Sequence, residues 1–243
     1  MSGAPAPGST EGATEVRDFV KYTFFHLRPE WRRLDAGTRT DGKARFVQVL
    51  ETPPPGLIVR TYALTGLKAD TEMLLWTIGP ELGPIQELHS RLFGTPLGGY
   101  LDTAYSYLGL ARRSEYLGEH AHGGEGGSEQ RRPFGLSYLF VYPFIKKREW
   151  YGLPFEERRR VMGEHFRIGH KYPQVQIHTG YSFGLDDMEF ILSFEADSPA
   201  EFLDLVNELR PTEASRYTAL ETPIFTCRLT PPRRMLDLAD GLP

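Results

Sequence analysis

The chain has 243 residues, a net charge of −4 and 40% hydrophobic residues, enough to bury a substantial core in one large or two small domains. No basic stripe stands out, which speaks against nucleic acid as a partner, and no run of about 18 apolar residues offers a membrane span. The single cysteine, Cys227, excludes an internal disulfide and fits a cytoplasmic setting.

Residues 1–13 are small, polar and rich in Pro and Gly, and are expected to form a disordered tail. A first unit, 14–116, opens with a strand in VRDFVKYTFFHL. A helix follows within 30–50, supported by Phe46, Val47 and Leu50 at helical spacing, and TPPPG ends it. A strand pair is expected at 56–67 and 73–78. Next comes a helix starting near Pro80 or Pro84 with Ile85, Leu88 and Leu92 on one face, then a strand in DTAYSYLGLARR. The glycine-rich stretch 117–134 reads as a flexible loop.

The same order returns in 135–229: a strand at 136–146, a helix at 155–172, and a hairpin of 175–183 with 188–194. Ser198, Pro199 and Glu201 then read as an N-cap, a first-turn proline and a capping-box partner. Phe202, Leu205, Val206 and Leu209 form the buried face of that helix. A closing strand at 223–229 carries Cys227 as a small core residue. The tail 230–243 holds two prolines and mixed charge and receives no assignment. Two successive β-α-β-β-α-β units are two ferredoxin-like halves. Packing their open sheet faces together gives an α+β fold, a dimeric α+β barrel within one chain.

The second half carries the residues with chemical potential. Tyr138, Phe140, Tyr142, Phe144 and Lys146 alternate onto one strand face, with Tyr142 and Lys146 about 13 Å apart. On pattern alone Tyr142 is a core tyrosine and Lys146 a strand end reaching for water. His165 lies on the apolar stripe of its helix with Val161 and Ile168, where a hydrogen-bonded core histidine is commoner than a ligand. Zinc needs three or four protein ligands, and His120 with His122 supplies only a pair. Porphyrin iron needs one imidazole above an apolar pocket, so His165 suits haem better than zinc. Neither a phosphate cradle nor a nucleophile elbow is present.

The segments YPFIKKREWYGLP, EERRRVMGEHFRIGHKYP, YSFGLDDMEFILSFEAD and ELRPTEASRYT together resemble the chlorite dismutase family, which includes coproheme decarboxylases of bacterial haem biosynthesis. The match is dense over 136–227, whereas the first half matches in element order and in AYSYLGLARRSEYL. The resemblance implies paired ferredoxin-like halves, usually a homopentamer, with haem in the second half. By motif, His165 is then the proximal iron ligand and Tyr142 the redox-active tyrosine. Lys146 stands near a propionate, Arg210 and Ser215 hold propionates, and Tyr107 and Arg132 add further contacts. Phe144 and Ile177 line the cofactor. Ile177 falls where chlorite dismutases carry arginine and one decarboxylase group carries glutamine. A base on the distal side falls to His120 or His122, or to His178 if the register shifts by one residue.

The activity so implied is peroxide-dependent oxidative decarboxylation of iron-coproporphyrin III (coproheme) to heme b, with Tyr142 passing through a radical. Hydrogen peroxide is the co-substrate, and the porphyrin is both substrate and redox cofactor. The rival readings are a chlorite-degrading or peroxidase-like haem enzyme and a non-catalytic haem carrier.

Overall fold

The computed structural model describes residues 17–111 and 132–242. β1 (Asp18–Leu27) leads through a 3-10 turn to α1 (Ala36–Glu51), β2 (Ile58–Ala63), β3 (Met73–Gly79), α2 (Leu82–Phe93) and β4 (Leu101–Ala111). The second half follows with β5 (Tyr138–Lys146), the short α3 (Arg148–Gly152), α4 (Phe155–Gly169), β6 (Gln176–Tyr181), β7 (Phe190–Ala196) and α5 (Pro199–Leu209). A 3-10 turn at Glu213–Tyr217, β8 (Thr218–Leu220), β9 (Phe225–Leu229) and α6 (Pro232–Ala239) complete it. The expected order is present in both halves, and α3, β8 and α6 are additions to it. At α5, Pro199 occupies the first turn, but Ser198 makes no side-chain cap. The proline's fixed φ therefore does the work assigned to a capping box. Among the described residues no helix is long and apolar enough to cross a membrane.

Strand order is β4-β1-β3-β2 in the first half and β9-β5-β7-β6 in the second, antiparallel throughout. The open faces meet as expected, and the edges pair as well. β4 joins β6 at Leu110↔Tyr181, and β2 joins β9 at Tyr62↔Leu229. Closure removes four unpaired edges, each a liability in an open sheet. Inside the ring, alternate side chains form one core: Tyr22 and Phe24 of β1, Trp76 of β3, Val141 of β5 and Phe225 of β9. Cys227 is fully buried there, and burial pushes its thiol pKa up, as suits a core residue.

The outer face of the first half is covered by α1, α2 and α6, through Phe46, Leu50, Leu88, Leu92, Met235 and Leu236. Gly42 lets α1 approach Trp31 closely, because a Cβ there would lie 2.6 Å from the indole ring. Residues 230–242 are thus no loose tail. Lys43, 2% exposed, donates to Asp237 at 2.6 Å and Asp240 at 2.9 Å, while Arg39 reaches Asp240 at 2.8 Å. Removing one member of such a cluster strands the others. Lys43→Met is expected to lower unfolding free energy by about 3 kcal/mol, read by chemical denaturation. A loss below about 0.5 kcal/mol would mean that α6 is held by apolar contacts alone.

One buried carboxylate fastens the entry to the second half. Glu195 accepts the backbone N–H groups of Phe134, Gly135 and Leu136 at 2.8, 2.7 and 3.1 Å, and His178 Nε2 lies 2.8 Å away. Gly135 takes φ +81°, which lets three successive N–H groups converge on one side chain. Burial alone would raise the Glu195 pKa, but these partners outweigh it and hold the carboxyl below its ordinary 4.5. Its stabilisation is therefore present above that value and lost as pH falls through the folded-state pKa. Glu195→Gln should be less stable than wild type by about 1–3 kcal/mol at pH 7, with the gap closing in acid. A gap that stays constant with pH would contradict the assignment.

Candidate functional site

On the outer face of the second half, Phe140, Tyr142 and Phe194 are buried, whereas Phe144, Phe190, Tyr181 and Leu192 are half-buried. Directly opposed residues of an antiparallel sheet point to the same side. The register therefore sets three rows on this face: Phe140, Phe194 and Ile177; Tyr142, Leu192 and Thr179; Phe144, Phe190 and Tyr181. α5 closes one end, stacking Phe202 on Phe140 at 4.0 Å. α4 packs mainly on α5 and on the 213–217 turn. Its Ile168 joins the Phe140 cluster and its Val161 packs with Trp150 and Ala214. His165 lies between those two anchors on one helix stripe, at i, i+4 and i+7 from Val161.

His165 makes no hydrogen bond among the described residues. Burial, and secondarily the charge of Lys146, lowers its pKa to about 4. The imidazole is thus neutral at ordinary pH, with a ring nitrogen available as a donor atom. Lys146 lies at the end of β5, and its Nζ donates to the Ala214 carbonyl at 3.3 Å. The ammonium sits 4.5 Å from the centre of the Trp150 ring and 5.2 Å from that of Phe144. Burial lowers its pKa to about 8, against the opposing pull of Glu189.

Tyr142 is 8% exposed and stacks on Phe194 at 6.0 Å with an interplanar angle of 15°. Its hydroxyl has no hydrogen-bond partner among the described residues. Burial raises the phenol pKa, and the Arg210 charge opposes that rise. Arg210 sits at the C-cap of α5 and pairs with Glu221. Ser215 lies on the 213–217 turn beside Ala214, the residue that holds Lys146.

The structure thus brings Tyr142, Phe144 and Lys146 together, sets His165 on the α4 stripe between Val161 and Ile168, and leaves Ile177 at the far edge of the face, 37% exposed, while Arg210 and Ser215 follow on the α5 C-cap and the 213–217 turn. Two residues expected here lie elsewhere. Tyr107 points into the ring, packed on Phe24 and Phe225, because alternation along β4 turns it inward. Arg132 lines a cleft of about 420 Å³ with Glu51, Leu57 and Arg60 of the first half. His178 also faces inward, bonded to Glu195 and packed on Trp76 at 5.1 Å. The register therefore puts Ile177, and not His178, on the face with Tyr142. His120 and His122 lie outside the described residues. The sequence reading missed Trp150, beneath the ammonium, and Glu189, 9% exposed. A glutamate flanked by Met188 and Phe190 at the start of a strand was the available signal.

Among the described residues no group of three or more His, Cys, Asp or Glu side chains is placed to hold a metal ion. A metal at His165 must bring its other donors with it, as a porphyrin does. The surroundings fit that group: a neutral imidazole without a hydrogen-bond partner among the described residues, aromatic side chains on the sheet face, and a cation at Lys146 for a carboxylate.

Comparison with known proteins bears on the family and the fold. The model of the family described as Chlorite dismutase matches residues 39–230. A coproheme decarboxylase from Mycolicibacterium smegmatis is 34% identical over 210 residues, 86% of this chain and 88% of that protein. Among solved structures, a variant of chlorite dismutase from Candidatus Nitrospira defluvii superimposes with a TM-score of 0.85. It is 24% identical, with 93% of this chain and 97% of that one covered. A heme-binding protein from Thermus thermophilus gives 0.81 at 21% identity, covering 93% and 95%. These two likenesses speak to the fold. The family model spans most of the chain and the curated relative matches 86% of it: the chain belongs to the chlorite dismutase family.

Proposed function

We propose that this protein binds coproheme on the outer face of its second half, through His165, and converts two propionates to vinyl groups with hydrogen peroxide as oxidant, yielding heme b. The observation that carries the reading is the face shared by Tyr142 and Phe144, with the Lys146 ammonium against the Phe144 ring and His165 on the α4 stripe between Val161 and Ile168. The curated relative of that activity supports it.

Bound there, the iron porphyrin supplies the chemistry with peroxide and is itself the molecule changed. Each propionate, R–CH2–CH2–COO⁻, reacts with one H2O2 and one proton to give R–CH=CH2, carbon dioxide and two waters. Tyr142 gives up its phenolic hydrogen and regains one from the propionate side chain. Among the described residues the hydroxyl has no hydrogen-bond partner, so its hydrogen passes to the peroxide-derived oxidant and ends in one of the two waters. Lys146 and Arg210 hold carboxylates by charge, and the Lys146 ammonium is confined by Trp150 and the Ala214 carbonyl. His165 holds the iron through its neutral nitrogen. Ile177 offers neither charge nor hydrogen bond to a small anion, which speaks against chlorite as substrate.

The test is turnover by the purified protein. Coproheme with peroxide should release carbon dioxide, and chlorite should release no oxygen beyond the free-porphyrin background. The reverse pattern would replace this reading with chlorite degradation. Tight porphyrin binding without either reaction would make the protein a carrier.

A further inference from the structure

Glu189 does something the reading above does not use. It precedes β7 at the point where the β5–β7 ladder stops, after Phe144↔Phe190, and where the β5–β8 pairing slips between Ile145 and Lys146. The backbone N–H of Lys146 donates to Glu189 Oε2 at 2.8 Å. The Tyr151 hydroxyl donates to the same oxygen at 2.6 Å. Among the described residues the other oxygen, Oε1, faces the 91% exposed Arg148, at 3.7 Å. Tyr151 belongs to α3, the turn that carries Trp150 under the Lys146 ammonium. One carboxylate oxygen therefore ties the end of the strand bearing Lys146 to the helix that forms the floor beneath it.

We propose that Glu189 is a positioning residue for Lys146, fixing where its ammonium meets a porphyrin carboxylate. The inference rests on the role given to Lys146 above. A side chain bonded to the main chain of a residue sets the direction from which that side chain departs. A displacement of about 1 Å at a contact group is enough to cost up to about 100-fold. Because both hydrogen bonds fall on Oε2, a glutamine whose amide oxygen takes that place keeps both and removes only the charge. Shape and charge are thus separable at this position.

The test is a double-mutant cycle on affinity for iron-coproporphyrin III, followed by absorption titration without peroxide. Glu189→Ala should weaken binding roughly tenfold when Lys146 is present and less than twofold in a Lys146→Ala background. Glu189→Gln should stay within about twofold of wild type. Tyr151→Phe, a milder change that keeps the chain folded if Glu189→Ala does not, should weaken binding about threefold, again only with Lys146 present. Equal losses in both backgrounds would overturn the proposal, since a purely structural effect is additive. So would no loss in either, an unchanged affinity in Lys146→Ala alone, or a Glu189→Gln variant as weak as Glu189→Ala. The cycle uses no turnover. Failure of decarboxylation with coupling intact would sink only the proposed reaction, and lost coupling with decarboxylation intact would sink only this inference.

Discussion

Tyr142→Phe should bind iron-coproporphyrin III within about twofold of wild type and lose at least about 100-fold in peroxide-driven turnover, a barrier increase of about 2.7 kcal/mol. The two halves of this expectation have separate origins in the structure. Binding survives because the phenol ring is held by packing. It stacks on Phe194 and belongs to the cluster of Phe140, Ile168, Phe202 and Leu205, contacts that phenylalanine reproduces. The hydroxyl makes no hydrogen bond among the described residues, so its removal strands no partner and costs little stability. Turnover fails because the deleted O–H is the hydrogen the tyrosine must surrender and recover. Rapid-mixing absorption spectra with product analysis would read both quantities. Unimpaired turnover would mean that the reaction bypasses Tyr142.

His165→Ala should abolish the absorption bands of imidazole-bound iron and weaken porphyrin affinity by about 100-fold or more, the upper range for disturbing a metal ligand's surroundings. The apoprotein should not suffer correspondingly. His165 has no hydrogen-bonded partner among the described residues, and its pKa near 4 reflects the cost of charging a buried ring. Alanine removes that cost, and the adjoining anchors Val161 and Ile168 keep α4 in place. The variant should therefore match wild type in apoprotein stability at neutral pH and exceed it between about pH 6.5 and 4. In that window the unfolded histidine takes up a proton that the folded one refuses. Unchanged spectra would show that another residue holds the iron.

The fold was legible because each half repeats one order of elements with strong periodicity, and because Pro and Gly clusters separate them. The site strand was legible for the same reason: Tyr142 and Phe144 alternate onto one face in the register, and the Lys146 ammonium lies against the Phe144 ring. Alternation does not say which face is which, however, when both sides of a sheet are covered. That is why Tyr107 looked available and instead lies in the ring among Phe24 and Phe225. It is also why Ile177 and His178 were separable only once β6 was paired with β7. α6 was missed for an electrostatic reason. Asp237 and Asp240 look like a solvated tail until Lys43 and Arg39, about 200 residues earlier, are seen to pair with them. Arg132 precedes the site strand in sequence, but Glu195 gathers 134–136 and the arginine falls beside α1 and β2. Motif resemblance, not periodicity, singled out His165 and Tyr142. The structure adds the physical grounds: an imidazole kept neutral and without a hydrogen-bond partner among the described residues, and a buried phenol on the strand that carries the Lys146 ammonium.

The most direct test of this account is the mass of the pigment after reaction. Purified protein loaded with iron-coproporphyrin III and titrated with peroxide should yield heme b, with two carbon dioxide molecules released and two equivalents of peroxide consumed per porphyrin. Recovery of intact coproheme, or of bleached porphyrin without any decarboxylated product, would contradict it.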